Sequence, residues 1–508
     1  MHKDSDHRDS REKAFANPET LLKIFTVPES EESTLGRIEA QISTNLMDFL
    51  REHVVSSGIS PQELEQNFLD SEIPDQPIFV SDQADYLLKS VVAESVHTAS
   101  PRFIGHMTSA LPYFMLPLSK MMIALNQNLV KIETSKAFTP LERQVLGMLH
   151  RLIYNRSESF YRSNIQNSSS ALGAFCSDGT IANITALWVA LNRVFKPTSD
   201  FAGVGDEGLF AAMQRYEKKG VAILVSKRGH YSLKKAANIL GIGRKNLISI
   251  PTDDVDAAWG GPTLFSRKYG KLLKGIERAD SVTFDAHKQL YVPMGAGMVL
   301  FKDHNSLSLV AHYAEYIIRK GSRDLGRMTL EGSRPGMAML VHSGLRIIGR
   351  SGYEMLIDMG IDKARRFAEM IKATDDFELI SEPELNLLCY RFVPSDVRKF
   401  MQTCQREDLQ HINNHINRLT ITIQKEQRDK GASFVSRTAL EPSRYHGQLI
   451  NVFRVVLANP LTQESHLVDI LNEQRDIARR LLSGELALES GDGEDAPSVP
   501  VATDGSRV

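Results

Sequence analysis

Four short stretches carry residue types that could act together on one substrate. In SVTFDAHKQLYVPMGAG, Ser281 to Gly297, Lys288 follows His287 directly, at the end of a β-prone run and ahead of a proline and two glycines. A solvated lysine needs no such surroundings. An amine in the turn after a strand lies where open α/β sheets bind ligands, beyond the carboxyl ends of their strands. The stretch FCSDGTIANITALWVALNRVF opens a helix at Gly179 and Thr180. Their N–H groups, the helix dipole and the Thr180 hydroxyl form a site suited to phosphate. SKRGHYSLKKAANILGIG sets His230 between a strand and a helix, and VDAAWGG puts Asp256 at the end of a short apolar run. Together they offer an amine, a phosphate cradle, a stacking face and a carboxylate, the contacts a flat aromatic cation bearing a phosphate would need. Each alone has a plainer reading: surface lysine, ordinary helix start, loop histidine, turn cap.

The elements that must position these residues are legible in outline. Ile181, Ile184, Leu187, Trp188, Leu191, Val194 and Phe195 recur at helical spacing after Gly179. Strands are expected at 221–225, 247–250, 281–284 and 297–301, alternating with helical segments, which predicts an α/β domain on a mainly parallel sheet. Beyond about residue 360, helices at 362–373 and 397–425 and strands at 387–392 and 449–457 read as a smaller C-terminal α/β domain. The expected division is a disordered tail at 1–35, a helical segment at 36–110, a large domain at 111–360, a small domain at 361–484 and a disordered acidic tail at 485–508.

Composition bounds the function. A chain of 508 residues is too long for one compact core. Its 60 Lys plus Arg against 62 Asp plus Glu leave no basic field for nucleic acid or an anionic membrane, so the expected partners are a small molecule or protein. Cys176, Cys389 and Cys404 lack CxxC spacing, which fits a reducing cytoplasmic compartment and argues against a metal site. The apolar run from Met107 to Leu125 is broken by Pro112, Pro117 and Lys120, and MHKDSDHRDSREK has no apolar signal region. Neither a Walker lysine motif nor GxGxxG supports a nucleotide.

From about Pro101 onward, PRFIGHMTSALP, LNQN, HYSLKKAANILGIG, VDAAWGG, GIERADSVTFDAHKQL, EGSRPG, FVSRT and FRVVLANP resemble the group II pyridoxal-phosphate-dependent amino-acid decarboxylases, in particular the bacterial aspartate 1-decarboxylases. The resemblance implies the type I, aspartate aminotransferase-like fold of pyridoxal-phosphate enzymes. It also implies a homodimer with interface active sites, dependence on pyridoxal 5'-phosphate, and decarboxylation of an acidic L-amino acid. The substrate it points to is L-aspartate, giving β-alanine for pantothenate synthesis; glutamate or another amino acid is the alternative. Position by position, it makes Lys288 the Schiff-base lysine and His287 its neighbour at the phosphate. His230 would stack on the ring, Ala258 pack on its other face and Asp256 hold the ring nitrogen protonated. Gly179 and Thr180 would bind the phosphate, Arg334 would assist an anion at the interface, and a mobile loop at about 319–328 would cover the site. That loop has no tyrosine, and no proton donor is assigned.

Two features depart from the family. Asp178 stands where a small residue usually precedes the phosphate-binding glycine, setting a carboxylate near a dianion. Only Pro251 to Asp254 separate the strand at 247–250 from VDAAWGG, whereas a parallel crossover needs at least about ten residues. The resemblance places helices and a strand there, implying an internal deletion between Asp254 and Val255. The expectation is a sheet lacking a strand near the cofactor, uncovered apolar surface, a poorly held Asp256, and cofactor affinity and turnover below those of full-length relatives. A catalytically impaired scaffold is the competing outcome.

Overall fold

The structure is a computed structural model and describes residues 34–51, 54–227, 229–250, 257–313 and 322–486. Both expected disordered tails, except for residues 34, 35, 485 and 486, lie outside these residues, as do Asp256 and part of the 319–328 loop. The described strands are β1 (Gly173–Cys176), β2 (Ile223–Ser226), β3 (Leu247–Ile250), β4 (Ser281–Asp285), β5 (Gly297–Phe301), β6 (Phe377–Ser381), β7 (Leu387–Phe392), β8 (Ser436–Leu440) and β9 (Ile450–Val456). They form three sheets, ordered β1-β5-β4, β2-β3 and β6-β7-β9-β8.

Strand pairing departs from the mainly parallel sheet expected. Strand β5 lies between β1 and β4 and is antiparallel to both. Only β2 and β3 pair in parallel. The physical reason is the connection after β3, which is too short for a crossover. The next described element is the short helix Ala257–Gly260, and among the described residues no strand joins β2 or β3 to β4.

The two fragments differ in burial. Every residue of GMVLF in β5 is buried, and Met298, Val299, Leu300 and Phe301 each remove an apolar side chain from water, about 1.5–3 kcal/mol apiece. In β2 and β3, by contrast, Leu224 is 64% exposed and Ile248 49%. These residues have the β-branched and apolar character of a sheet interior without the cover.

The antiparallel sheet β6-β7-β9-β8 packs against helices Gly349–Lys372, Arg406–Lys430 and Glu464–Leu482. The helix expected at 362–373 is the second half of Gly349–Lys372. Along it Tyr353, Ile357 and Ile361 belong to the large core, while Ala364, Phe367, Ala368 and Ile371 belong to the small one. The segment expected as one helix at 397–425 is two, Ser395–Phe400 and Arg406–Lys430, because Cys404 N–H closes on the Phe400 carbonyl (3.0 Å) and ends the first. The N-terminal part reaches into the small domain: Ile104 N–H donates to the Phe434 carbonyl (3.0 Å), and Val456 N–H to the Ile104 carbonyl (2.7 Å). No helix among the described residues is long and apolar enough to cross a membrane.

Candidate active site

Alternation along SVTFD divides the faces of β4. Val282 and Phe284 enter the core, while Thr283 and Asp285 face helix Gly179–Val194. The strand ends at Asp285 and Lys288 follows in the turn, as its position predicts. That turn is closed by Lys288 N–H to the Asp285 carbonyl (3.2 Å), Tyr291 N–H to the Lys288 carbonyl (3.3 Å) and Ala286 N–H to the Ala296 carbonyl (2.8 Å). Tyr291 is left-handed, with φ 55°, which costs a non-glycine residue about 1 kcal/mol. Its hydroxyl anchors it to the Ala458 carbonyl (2.8 Å).

Asp285 is the hub of the site. Its Oδ2 lies 2.9 Å from Lys288 Nζ and 3.8 Å from His287 Nε2. A Cβ on Gly179 would stand 2.7 Å from the same oxygen, so glycine lets the helix N-terminus approach the lysine turn. Gly297 plays the equivalent part behind: a Cβ there would come within 2.5 Å of the Asp178 carbonyl carbon. Asp178 is neither in open solvent nor idle, because its Oδ1 caps the helix by accepting from Ile181 N–H (2.9 Å). Glu331 accepts from Ser177 N–H (2.9 Å), adding a third carboxylate around this turn.

His287 is buried, and its Nδ1 has no hydrogen-bond partner among the described residues. Burial, and then the Lys288 cation, hold its pKa below the ordinary histidine range, against the opposing pull of Asp285 and Asp178. Gly179 and Thr180 N–H lie in the first turn, where a helix supplies no internal acceptor. These donors, the Thr180 hydroxyl, His287 and the Lys288 ammonium fit an anionic group attached to something that reacts with an amine. The three carboxylates oppose a full dianion.

The other expected residues divide. His230 is exposed beyond β2, but Nδ1 lies 2.9 Å from Ser232 Oγ. Ser232 Oγ accepts from Asn183 Nδ2 (2.9 Å), and Asn183 Oδ1 accepts from Thr283 Oγ1 (2.7 Å), two residues before Asp285. Ala258 is buried, and the adjoining Trp259 carbonyl accepts from Gln289 Nε2 (2.7 Å), tying it to the lysine turn. Asp256 lies outside the described residues. Arg334 is not joined to this cluster by contact. It is buried in a bidentate pair with Glu142 (Nη2 to Oε1, 2.5 Å), and its carbonyl accepts from Leu129 N–H. Of the expected covering loop, the part described from Asp324 to Met328 is packed rather than free: Asp324 accepts from Ile132 N–H (2.8 Å), and Leu325 and Met328 are in the core.

Three participants were not singled out from sequence. Asp285 stood inside the motif itself. Arg454 interrupts the apolar strand INVFRVV, and such an interruption is a usable signal. Burial holds its guanidinium below the usual range, and it forms no hydrogen bond or ion pair among the described residues. His106 keeps solvent access, yet partial burial and then the cations of Arg454 and Lys288 lower its pKa, which sets all three in one electrostatic neighbourhood.

A sequence pattern described as "Pyridoxal-dependent decarboxylase conserved domain" matches residues 254–393, starting within the short connection. The aspartate 1-decarboxylase of Aliivibrio fischeri (strain ATCC 700601 / ES114) is 54% identical over 531 aligned positions, covering 94% of this chain and 96% of that protein. Those positions outnumber the 508 residues here, so that relative carries residues with no counterpart in this chain. The acidic amino acid decarboxylase GADL1 of Xenopus tropicalis is 25% identical, covering 78% of this chain and 82% of its own. The crystal structure of mouse CSAD in apo form superposes with a TM-score of 0.74 at 23% identity, over 87% of this chain and 99% of that one.

Proposed function

Because this chain belongs to the pyridoxal-dependent decarboxylase family, a family of carboxy-lyases with the type I fold, we propose that it converts L-aspartate to β-alanine and carbon dioxide with Lys288 carrying the cofactor. The observation that carries the reading is the convergence on Asp285 of an amine, Lys288, and a helix N-terminus, Gly179. The choice of aspartate rests on the 54% identical relative of that activity.

When bound, pyridoxal phosphate supplies an electron sink for the charge left on Cα as the carboxylate departs. The chain's own residues do the rest. Gly179, Thr180 and His287 hold the phosphate. Lys288 holds the cofactor covalently and yields its place to the substrate amine. His230 and Ala258 cover the two ring faces, and Asp256 keeps the ring nitrogen protonated. Arg454, a guanidinium without a partner among the described residues, orients a substrate carboxylate beside His106. Arg334, committed to Glu142, supports the wall of the site instead of binding an anion directly.

The β-alanine formed would feed pantothenate synthesis in the cytoplasm, a compartment consistent with three cysteines that form no disulfide. The working form is a homodimer with active sites at its interface. Its support is the apolar surface of the N-terminal part, where Leu69 is 69% exposed, Ile73 91% and Ile123 70%. The split between β2-β3 and β1-β5-β4 weakens the hold on the ring, and a displacement of about 1 Å can lower a rate about a hundredfold.

The test is visible absorbance of the purified chain with pyridoxal phosphate, followed by product identification with aspartate, glutamate and cysteine sulfinate. A band that is lost in folded Lys288→Ala, with β-alanine formed only by the unsubstituted chain, is expected. A folded protein with neither band nor product would leave the impaired scaffold as the correct reading. Product from another acid in preference to aspartate would reassign the substrate.

A further inference from the structure

We infer that Asn183 and Thr283, acting through Ser232, fix the tautomer of His230 and so are positioning residues for the imidazole that the proposed function sets on the cofactor ring. The inference rests on that reading only for its catalytic meaning; the relay itself stands on hydrogen-bond direction.

Three elements contribute one group each: Thr283 from β4, Asn183 from helix Gly179–Val194, and Ser232 from the start of helix Ser232–Ile239. Ser232 is fully buried. Its backbone N–H lies 3.3 Å from His230 Nδ1, and a backbone N–H can only donate. Nδ1 must therefore accept, and the proton of the neutral ring resides on Nε2.

The hydroxyl chain runs the same way. Thr283 Oγ1 donates to Asn183 Oδ1 at 2.7 Å, which turns the amide so that Nδ2 donates to Ser232 Oγ at 2.9 Å. Having accepted, Ser232 Oγ gives its single proton to His230 Nδ1 at 2.9 Å. The reverse chain, from Nδ1–H through Ser232 and Asn183 to Thr283, is self-consistent for the side chains alone. The Ser232 N–H excludes it.

A ring held in this state presents Nε2–H outward as a donor. It can hold an oxygen of substrate or cofactor, and it cannot act there as a base. With two donors aimed at Nδ1, the relay also opposes a second proton on the ring. Because Thr283 stands two residues before Asp285 on one face of β4, the strand that sets the lysine also sets the histidine.

The experiment reads ring nitrogen chemical shifts in the full chain labelled with 15N-histidine, cofactor-free, with the His230 signals identified by their loss in His230→Gln. The unsubstituted chain is expected to show Nδ1 unprotonated and Nε2 protonated. Asn183→Asp, isosteric but only an acceptor when ionised, should pull the Ser232 proton away and move the ring proton to Nδ1. Thr283→Ser, which keeps the hydroxyl, should leave the original signature in place, a distinction that a packing role would not produce. A protonated Nδ1 in the unsubstituted chain, or an unchanged signature in folded Asn183→Asp, overturns the inference. If Asn183→Asp does not fold, Thr283→Val serves: a mixed tautomer supports the relay and an unchanged one overturns it. Should the tautomers behave as stated while His230→Gln leaves the cofactor absorbance on Lys288 untouched, the relay stands and the placement of His230 at the ring fails.

Discussion

The ammonium of Lys288 stands 2.9 Å from Oδ2 of Asp285, a carboxylate only 1% exposed. The amine is thus held against the turn that contains it and aimed at the start of helix Gly179–Val194. Asp285→Ala leaves a largely buried cation without this partner. Breaking a fully buried pair costs about 3–5 kcal/mol, and the remaining solvent access of Lys288 reduces this to about 2 kcal/mol. Asp285→Asn, which still accepts a hydrogen bond, should lose less. Urea denaturation at neutral pH measures both, and equal losses would remove charge from the explanation.

Asp178→Asn separates the helix cap from its charge. An asparagine caps as well as an aspartate, so stability should change by less than about 1 kcal/mol. Removing a negative charge beside the phosphate site should raise the affinity for pyridoxal phosphate several-fold. Titration with pyridoxal, which lacks the phosphate, provides the control and should show no gain. A gain with both ligands would place the effect at the ring.

Arg454→Gln tests the carboxylate site. Loss of a charge-assisted contact worth about 1.5–3 kcal/mol should raise KM for the substrate about ten- to a hundredfold. The absorbance of cofactor on Lys288 should be unchanged. An unchanged KM would show that the guanidinium faces no substrate group.

His150 makes a prediction about acid stability. It is fully buried, accepts at Nδ1 from the Tyr161 hydroxyl (2.9 Å) and donates from Nε2 to the Phe301 carbonyl (3.1 Å). Burial pushes its pKa from the ordinary 6.5 down to about 4. The unfolded chain therefore takes up a proton that the folded chain refuses, and stability falls as pH drops from about 6.5 to about 4, by about 3 kcal/mol for this group. His150→Gln lowers stability at every pH but should flatten that slope. Urea midpoints at several pH values across the window decide the matter.

The uncovered strands predict uneven opening. Amides of β2 and β3 should exchange with solvent far faster than those of β4 and β5, which pair in the buried sheet. Leu224→Lys should improve solubility with little loss of stability, since Leu224 is mostly in water already. Slow exchange in β2 would mean that something covers it in solution.

Much of the site could be read from the residues because local chemistry dictates it. DAHK after a β-prone run fixed the turn at Lys288, and helical spacing after Gly179 fixed the phosphate-binding end of the helix. The missing crossover was legible as a count of residues, and uncovered Leu224 and Ile248 are its outcome. Strand direction was not legible in the same way: β5 is a continuous apolar run whichever way its neighbours point. Arg334 and Glu142 lie far apart in sequence, so their pairing had no local signal. The same holds for the path from Thr283 to His230, which depends on three elements meeting.

The insertion of Ile104 between Phe434 and Val456 bears on how the chain is made. A ribosome releases residue 104 long before β8 and β9 exist, so this early stretch must wait, with apolar Phe103 and Ile104 unhoused, until nearly the whole polypeptide has emerged. Vectorial, domain-by-domain maturation is closed to such a chain, and its completion is a single late event. A nascent chain stalled after residue 430 should therefore remain protease-sensitive around Phe103, and release through the end of β9 should confer protection there in one step.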